Sequence, residues 1–346
     1  MNLFAFIFVV ALQARGPQAP PPAPPCSPSD AHFVCGQLAP EDLIVLPGSE
    51  WVLASVYGGS GGIRLINTKD MMTTTAYPTP DSKEKLDAKT YDSCPGVPDA
   101  AQKNSFRTHG LALRLGKNSQ HTLYAVHHGT RESIEVFEVD APRGKTPSLT
   151  WIGCAVAPEP VGLNSVVPLP EGGCAATNFL PRNADAGQRG KLNAGENNGE
   201  IWEWHTGKGW KIIPGSEASG ANGVEVSKDG KTLYVAAWGS QSFFRLSRNQ
   251  TPPKRDDIKL GFRVDNIRWA SDGSLWATGQ GGAAPGTQTT NIVKINPNTL
   301  KVQEIRTEQN KPEFGSGTVA VEVGKEIWVG SFRGDRLARF PATPAK

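Results

Sequence analysis

The stretch GANGVEVSKDGKTLYVAAW (residues 220–238) decides the fold, because stretches of the same kind recur along the chain. In it, the polar residue Asn222 introduces a short β-branched segment, a turn signal follows, and a second apolar segment ends at Trp238. Equivalent polar residues introduce five further segments, at Glu41-Asp42, His109, Asn164, Asp265-Asn266 and Thr318. Units spaced by roughly 45 to 65 residues, each with several short strands, are typical of a propeller. The sequence therefore predicts an all-β, six-bladed β-propeller with a central metal-binding channel.

We call the polar residues that precede these apolar segments the polar introducers. They are expected to meet at the propeller axis, because the innermost strand of each blade runs along the channel. Five of them offer only oxygen ligands: Glu41, Asn164, Asn222, Asp265 and Asn266. Zinc sites normally use His or Cys, whereas Ca²⁺ binds about six to eight oxygens with variable geometry. The pattern therefore predicts one Ca²⁺ ion, with positions left open for water and a substrate oxygen.

The composition is that of a globular protein with one large domain. The chain has 346 residues, of which 38% are hydrophobic and 20% charged, with 38 Gly and 28 Pro for tight turns. Its net charge of +3 comes from scattered Lys and Arg, without a basic run or a basic stripe interleaved with aromatic residues. This pattern argues against a nucleic-acid partner.

The N-terminus predicts export. An apolar run from Leu3 to Leu12 is too short to span a membrane and fits a signal peptide, assigned to residues 1–14, although a buried N-terminal strand is the alternative. A Pro-rich tether is assigned to residues 15–34 and the propeller domain to residues 35–346. We expect a secreted or periplasmic protein without an integral membrane span.

The chain has five Cys residues, so at least one is unpaired. Cys154 with Cys174, or Cys35 with Cys94, are the candidate bridges, and spacing does not choose between them. Cys26, in the Pro-rich tether, is the expected odd one. None of the five lies in a pattern that indicates a nucleophile.

Several stretches resemble one enzyme family over nearly the whole predicted domain. They are PEDLIVLP (40–47), RTHGLAL (107–113), HHGTRESIEVFEVD (127–140), VGLNSVVPLPEGGCAATN (161–178), GANGVEVSKDGKTLYVAAW (220–238) and VDNIRWASDGSLWATG (264–279). The chain is similar to the serum paraoxonase and arylesterase branch of the SMP-30/gluconolactonase superfamily. This resemblance implies a six-bladed propeller with a catalytic calcium in its channel. It also implies an enzyme that hydrolyses lactones and related esters.

The resemblance also assigns roles to residues. Glu41, Asn164, Asn222, Asp265 and Asn266 match the family's ligands of the catalytic calcium. His109 matches its proposed general base, and His128 matches the partner of that base, although His127 fits the second role if the alignment shifts by one residue.

Departures from the family pattern concern a second, structural calcium and the pocket. The matching positions for the second ion are Asp42, Leu111 through its carbonyl, and Ser165, which replaces a carboxylate and makes this ion doubtful. Phe179 replaces an acidic channel residue. Trp51, Asn178, Phe179, Trp238 and Phe332 are the candidates for the pocket wall, and residues 58–106 are predicted to form a lid or loop over the mouth.

The leading hypothesis is a calcium-dependent lactonase or arylesterase acting on a small-molecule lactone or ester. A serine hydrolase is disfavoured because no Gly-x-Ser-x-Gly motif occurs. Two alternatives remain: a non-catalytic propeller that binds partners and carries a structural calcium, and a condensing enzyme like strictosidine synthase, which needs no calcium. The sequence leaves the substrate and the oligomeric state open.

Overall fold

The protein is a ring of six β-sheets, as seen in a computed structural model that describes residues 24–27, 29–284 and 286–342. In chain order the elements are β1 (Phe33–Cys35), β2 (Leu43–Val45), β3 (Trp51–Ser55), β4 (Ile63–Asn67), β5 (Thr73–Tyr77), β6 (Lys83–Glu84), α1 (Ala100–Asn104), β7 (Arg107–Arg114), β8 (Gln120–His128), β9 (Ser133–Asp140), β10 (Ser148–Val156), β11 (Leu163–Pro168), β12 (Cys174–Asn178), α2 (Ala186–Ala194), β13 (Glu200–His205), β14 (Gly209–Ile212), β15 (Ala221–Val226), β16 (Thr232–Ala237), β17 (Ser242–Ser247), β18 (Arg255–Lys259), β19 (Arg263–Trp269), β20 (Leu275–Gly281), β21 (Thr289–Ile295), β22 (Val302–Gln309), β23 (Gly317–Val323), β24 (Glu326–Ser331) and β25 (Arg336–Pro341). The prediction of an all-β, six-bladed propeller is confirmed.

Each sheet forms one blade. Blade 1 contains β2–β5, blade 2 β6–β10, blade 3 β11–β14, blade 4 β15–β18 and blade 5 β19–β22, while blade 6 contains β23–β25 together with β1. The innermost strands are β2, β7, β11, β15, β19 and β23, and each of them contacts the next around the ring. Residues at the entrances of these strands therefore converge, although they lie far apart in the sequence.

Apolar contacts between neighbouring blades hold the ring together. Most strands are buried on both faces because each blade is covered by two others, so strands such as β16 read as continuous apolar runs rather than alternating ones. One core cluster, for example, joins Val167 and Ala175 of blade 3 to Val224 and Leu233 of blade 4. The core is thus divided among the interfaces between blades, which lets a chain of this length form one domain.

The two ends of the described chain close the ring together. Strand β1 pairs antiparallel with β25, with Val34 opposite Leu337, so blade 6 takes strands from both ends. A disulfide bond between Cys26 and Cys35 fixes the segment that leads into β1. The last residues of the predicted Pro-rich tether are therefore part of the fold, whereas the predicted signal peptide, residues 1–14, lies outside the described residues.

The cysteine predictions were wrong. Cys35 bonds to Cys26, which was expected to be the odd one, and Cys94 bonds to Cys154 across 60 residues. Cys174 is the free cysteine of the described chain and is buried, so burial raises the pKa of its thiol to about 12. Cys94 lies between β6 and β7, in the segment that wraps the outer edge of blade 2, and this brings it to Cys154 in β10 of the same blade.

The segment that follows blade 1 does not cover the channel mouth as predicted. Its strand β6 adds in parallel to β10 at the outer edge of blade 2, with Glu84 opposite Trp151. The Cys94–Cys154 bond fixes it to the same strand. Within residues 58–106, the chain therefore extends blade 1 and then wraps the outside of blade 2.

Among the described residues, neither helix has the length and apolar character needed to cross a lipid bilayer.

Candidate functional site

A cavity of about 690 Å³ opens at one end of the ring and brings most of the predicted site residues together. Residues from all six blades form its wall: Glu41 and Tyr57 from blade 1, His109 from blade 2, Asn164 and Phe179 from blade 3, Asn222 and Trp238 from blade 4, Asp265 and Gln280 from blade 5, and Phe332 from blade 6. A volume of this size holds a small organic molecule. Glu41, Asn164, Asn222 and Asp265 of this set are buried and form the cavity floor.

Irregular strand pairing explains why the polar introducers face the floor. The inner strands of blades 2 to 6 each lose their register where the introducer lies, for instance between Val264 and Ile267 in β19. A bulge sets two residues against one on the partner strand and redirects their side chains. Asp265 and Asn266 can therefore both be buried at the axis, although neighbours in a regular strand point to opposite faces.

Two glycines allow the inner strands to approach each other closely at this level. A Cβ on Gly110 would lie 2.6 Å from the carbonyl oxygen of Asn164, and one on Gly223 would lie 2.5 Å from the carbonyl oxygen of Asp265. No real Cβ tolerates such distances from backbone atoms, so any other residue would push the strands apart. The glycines after His109 and Asn222 thus set the width of the channel floor.

Four oxygens on the floor have no hydrogen-bond partner among the described residues, although they are buried. They are Glu41 Oε2, Asn164 Oδ1, Asn222 Oδ1 and Asn266 Oδ1. The Asn266 amide donates to Glu41 Oε1 at 2.6 Å, and the Asn164 amide lies 3.4 Å from His109 Nε2. In both asparagines the NH₂ group is thus engaged and the carbonyl oxygen is free. Since buried polar atoms are normally paired, this group of oxygens is suited to binding a cation.

The raised pKa values of the carboxyl groups on the floor also show that this site is suited to a cation. Burial raises the pKa of Glu41 well above its usual range, and the nearby carboxyl groups of Asp265 and Asp42 raise it further. Burial also raises the pKa of Asp265 to about 7, against the opposing effect of hydrogen bonds from Gln280 and Asn222. Two buried carboxyl groups so close together need a positive charge to stay ionised.

The residues present fit Ca²⁺ better than a transition metal. The described residues contain no group of three or more His, Cys, Asp or Glu side chains arranged to hold a metal, and three of the five candidate ligands are asparagines with neutral oxygens. Carboxylate and amide oxygens without a sulfur ligand are the donors that Ca²⁺ prefers. Glu41 and Asp265 would supply the charge, and Asn164, Asn222 and Asn266 the neutral oxygens.

A chain of hydrogen bonds links His109 to His128 and Glu132. His109 Nδ1 lies 2.9 Å from His128 Nε2, and His128 Nδ1 lies 2.9 Å from Glu132 Oε2. Because Glu132 also accepts a hydrogen bond from the Leu163 amide at 2.7 Å, it acts as an acceptor toward His128 as well. His128 then accepts the Nδ1 proton of His109, and the lone pair of His109 Nε2 faces the cavity floor.

The structure places His128, rather than His127, next to His109. His127 is buried between blades, where its Nδ1 lies 3.4 Å from Ser133 Oγ. Burial lowers the pKa of His127 to about 4. The pKa of His109 is lowered well below its ordinary value, chiefly by burial and further by the neighbouring side chains of His128 and Arg107.

Sequence reasoning missed three residues of the site. Glu132 orients His128, Tyr57 packs on His109 with ring centroids 4.5 Å apart, and Gln280 donates to Asp265 Oδ2 at 2.7 Å. Glu132 follows His128 by four residues, a spacing that carries no signal at the end of a strand. Tyr57 and Gln280 lie at strand ends beside glycines, where the sequence reads as loop.

The set predicted for a second calcium does not fit an ion, because the guanidinium of Arg268 lies among its donors. Arg268 Nη2 donates to Asp42 Oδ2 and, at 2.9 Å, to the carbonyl oxygen of Leu111. Asp42 also accepts the Leu111 amide at 2.6 Å. Ser165 contributes only a hydroxyl, which is buried without a partner. The positive charge required there comes from the chain itself, so these residues do not need a second ion.

Replacing Arg268 with methionine is expected to destabilise the protein by about 3–5 kcal/mol, because Asp42 would remain buried without its ion-pair partner. Both side chains are nearly inaccessible to solvent. The measurement is urea unfolding of the wild type and the variant. Arg306→Met is the matched control, since Arg306 and Glu308 of the same blade are partly exposed and should contribute no more than about 1 kcal/mol. Equal losses in both variants would show that Asp42 does not depend on Arg268.

Three of the predicted pocket aromatics line the cavity. Phe179 and Trp238 meet edge to face with ring centroids 5.7 Å apart, and Phe332 lines the cavity from blade 6. Asn178 was also predicted for the pocket, but it does not reach the lining: its side chain accepts the Gly162 amide at 3.0 Å and donates to Glu200 at 2.9 Å. Trp51 packs in the core cluster between blades 1 and 2.

An apolar part of the wall comes from helix α2, which is inserted between β12 and β13. It begins after Asp185, whose side chain accepts the Gln188 amide, and ends at Gly195, which has the left-handed φ of 78° that favours glycine. Its buried residue, Leu192, lines the cavity. The sequence analysis did not predict this helix.

No family model and no curated protein matches the chain. Solved structures do. A candidate gluconolactonase is 14% identical. The alignment covers 91% of this chain and 93% of the gluconolactonase chain, with a TM-score of 0.52. The calcium-binding protein regucalcin from Agrobacterium tumefaciens is 13% identical. The alignment covers 89% of this chain and 85% of the regucalcin chain, with a TM-score of 0.50.

A PQQ-bound aldose sugar dehydrogenase from Streptomyces coelicolor is about as similar to this chain as those two proteins, with 13% identity and a TM-score of 0.53. The alignment covers 90% of this chain and 96% of the dehydrogenase chain. The chain shares their fold. At these identities the likeness shows the fold alone, and the activities in the names differ. Function must therefore be argued from the residues of the cavity.

Proposed function

We propose that this protein is a calcium-dependent hydrolase of lactones or related esters, similar to the paraoxonase and arylesterase branch of the SMP-30/gluconolactonase superfamily. The observation that carries the proposal is the set of unpartnered oxygens of Glu41, Asn164 and Asn222, which line one cavity with His109, together with that of Asn266, whose amide bonds to Glu41. The shared fold of a calcium-binding regucalcin and a candidate gluconolactonase supports it.

The five oxygen ligands, Glu41, Asn164, Asn222, Asp265 and Asn266, would hold the ion. When bound, Ca²⁺ polarises the ester carbonyl and stabilises the negative charge that develops on its oxygen. The remaining chemistry belongs to side chains of the chain itself. The neutral asparagines leave the site with only two formal negative charges, so the ion is held without losing its attraction for a substrate oxygen.

His109 is proposed as the general base. Its Nε2 lone pair faces the floor of the cavity, where it accepts the proton of the attacking water. His128 holds the other ring nitrogen of His109 at 2.9 Å and so keeps this tautomer. Glu132, buried behind His128, stabilises the positive charge that the pair acquires. Tyr57 packs on the His109 ring and limits its rotation.

We further propose that the protein acts outside the cytosol, as a secreted or periplasmic enzyme. Its two disulfide bonds support this, because disulfides persist in oxidising compartments. The apolar N-terminal run is consistent with export.

The test is a panel of sugar lactones, acyl-homoserine lactones and aryl esters, assayed with and without EGTA. We expect chelation to abolish hydrolysis and added Ca²⁺ to restore it, while Asn222→Ala weakens Ca²⁺ binding measured by calorimetry. The matched control is Asn193→Ala, on the exposed side of α2. This variant should change neither the rate of hydrolysis nor Ca²⁺ binding.

Two results would contradict the proposal. If chelation lowered only the melting temperature and no ester were hydrolysed, a non-catalytic binding propeller would be favoured. Hydrolysis that persists after complete removal of calcium would remove the metal from the mechanism.

A further inference from the structure

Two arginines line the same cavity without an acidic partner among the described residues. Arg263 lies at the start of β19, and Arg333 lies in the turn after β24. Neither guanidinium forms an ion pair or a hydrogen bond with any described side chain, in contrast to arginines such as Arg268 and Arg339, which are paired with carboxylates. Unpaired arginines in a concave site are available to a ligand.

Aromatic rings hold both arginines in place. The guanidinium carbon of Arg263 lies 4.0 Å from the centre of the Trp238 ring, and that of Arg333 lies 4.7 Å from the centre of the Phe332 ring. Stacking of this kind orients the planar group and leaves its N–H edge free to donate. Since Trp238 is itself fixed by a hydrogen bond of 3.0 Å from its Nε1 to Gln280, the arrangement is connected to the floor of the cavity.

The charges of the cavity do not cancel once the metal site is filled. Glu41 and Asp265 are the acidic residues of its described lining, and one Ca²⁺ would neutralise them. Arg263 and Arg333 then remain as an excess of positive charge. Because the carboxylates lie on the buried floor and Arg333 is exposed, this excess lies toward the mouth, on the side of blades 5 and 6.

We propose that the cavity selects substrates that carry an anionic oxygen group, a carboxylate or a phosphoryl group, in addition to the bond that is hydrolysed. Arg263 and Arg333 bind this group near the mouth, while the scissile carbonyl reaches the floor. The inference rests on the proposed hydrolase function and adds the substrate class to it. Guanidinium groups match the planar carboxylate and the phosphate in geometry, so both anions share this chemistry.

The experiment compares three lactones that differ only in one substituent: β-carboxy-γ-butyrolactone, its carboxamide and its phosphonate analogue. We expect kcat/KM for one of the anionic forms to exceed that for the carboxamide by about 10- to 100-fold, in line with hydrogen bonds to charged groups. The better of the two anionic forms identifies the natural group. Equal rates for all three lactones would overturn the proposal.

The variants Arg263→Gln and Arg333→Gln should each remove most of this preference, lowering kcat/KM for the anionic lactone and leaving that for the carboxamide within about twofold. The matched control is Arg143→Gln, an exposed arginine near Glu50 that removes the same charge away from the cavity. Equal losses on charged and neutral lactones would assign the two arginines a structural role only, contrary to the proposal.

A binding measurement separates this inference from the hydrolase proposal. Calorimetry with glutarate and with methylphosphonate, in Ca²⁺-loaded protein, needs no turnover. Binding that weakens in both arginine variants but not in Arg143→Gln supports the anion site even if no lactone is hydrolysed. Anion binding that is the same in all variants would reject the site, whatever the outcome for hydrolysis.

Discussion

Replacing Asp265 with asparagine is expected to lower Ca²⁺ affinity and lactone hydrolysis together, each by about 100-fold or more. The substitution keeps the shape of the side chain and removes one of the two negative charges on the cavity floor. Charge count is a main determinant of calcium affinity in oxygen-ligand sites. Calcium binding would be measured by calorimetry, and hydrolysis by initial rates at saturating and limiting Ca²⁺.

The control for this variant is Asp272→Asn in the same blade. Asp272 is exposed in the turn after β19 and pairs with Lys294 at 2.7 Å, so its loss removes an equal charge without touching the cavity. Near-ultraviolet circular dichroism would verify that both variants are folded. Unchanged calcium affinity in a folded Asp265→Asn protein would show that Asp265 is not a ligand.

Replacing His109 with glutamine is expected to lower kcat by about 10²- to 10⁴-fold, the range that general-base catalysis contributes. Glutamine can still occupy the space beside His128, but it has no basic nitrogen. Since His109 is not one of the oxygen ligands, calcium affinity should change by no more than a few-fold. The two variants, Asp265→Asn and His109→Gln, thus separate loss of the metal from loss of the base.

For His109 the comparison is His205→Gln, at the far end of strand β13 and outside the cavity lining. This variant should retain full activity. If His109→Gln kept the wild-type kcat at every calcium concentration, the attacking water would have to lose its proton to another group, and Glu41 would become the first candidate, since Glu41 Oε2 lies 3.7 Å from His109 Nε2.

The blade count and the positions of most site residues could be predicted from the sequence. Each inner strand has its polar residue at or near its start, and in blades 2 to 6 a bulge places that residue at the axis. The pattern therefore located Asn222 and Asp265 without knowledge of any contact. It also predicted that they would share one cavity with Glu41.

The ion pairs, the disulfide bonds and the exact pocket lining could not be predicted, because they depend on contacts between distant residues that leave no periodic signal in the sequence. The sequence analysis assigned no role to Arg268, but its guanidinium pairs with Asp42, which lies 226 positions earlier. Cys94 bonds to Cys154 because its segment wraps the outer edge of blade 2, where the added strand β6 has only two residues. Asn178 was predicted to line the pocket, but its side chain bonds to the Gly162 amide and to Glu200 instead.

Ring closure makes this site depend on the order in which the protein is synthesised. Blade 6 needs β1 from the beginning of the described chain and β25 from its end, and the Thr318 hydroxyl donates to the backbone carbonyl of Glu41 at 2.5 Å across the same seam. Because translation proceeds from the N-terminus, β1 has no partner until the last strand has left the ribosome. We therefore expect Glu41 to reach its final position late in folding, and an ion bound there would stabilise the closed ring over any incomplete chain.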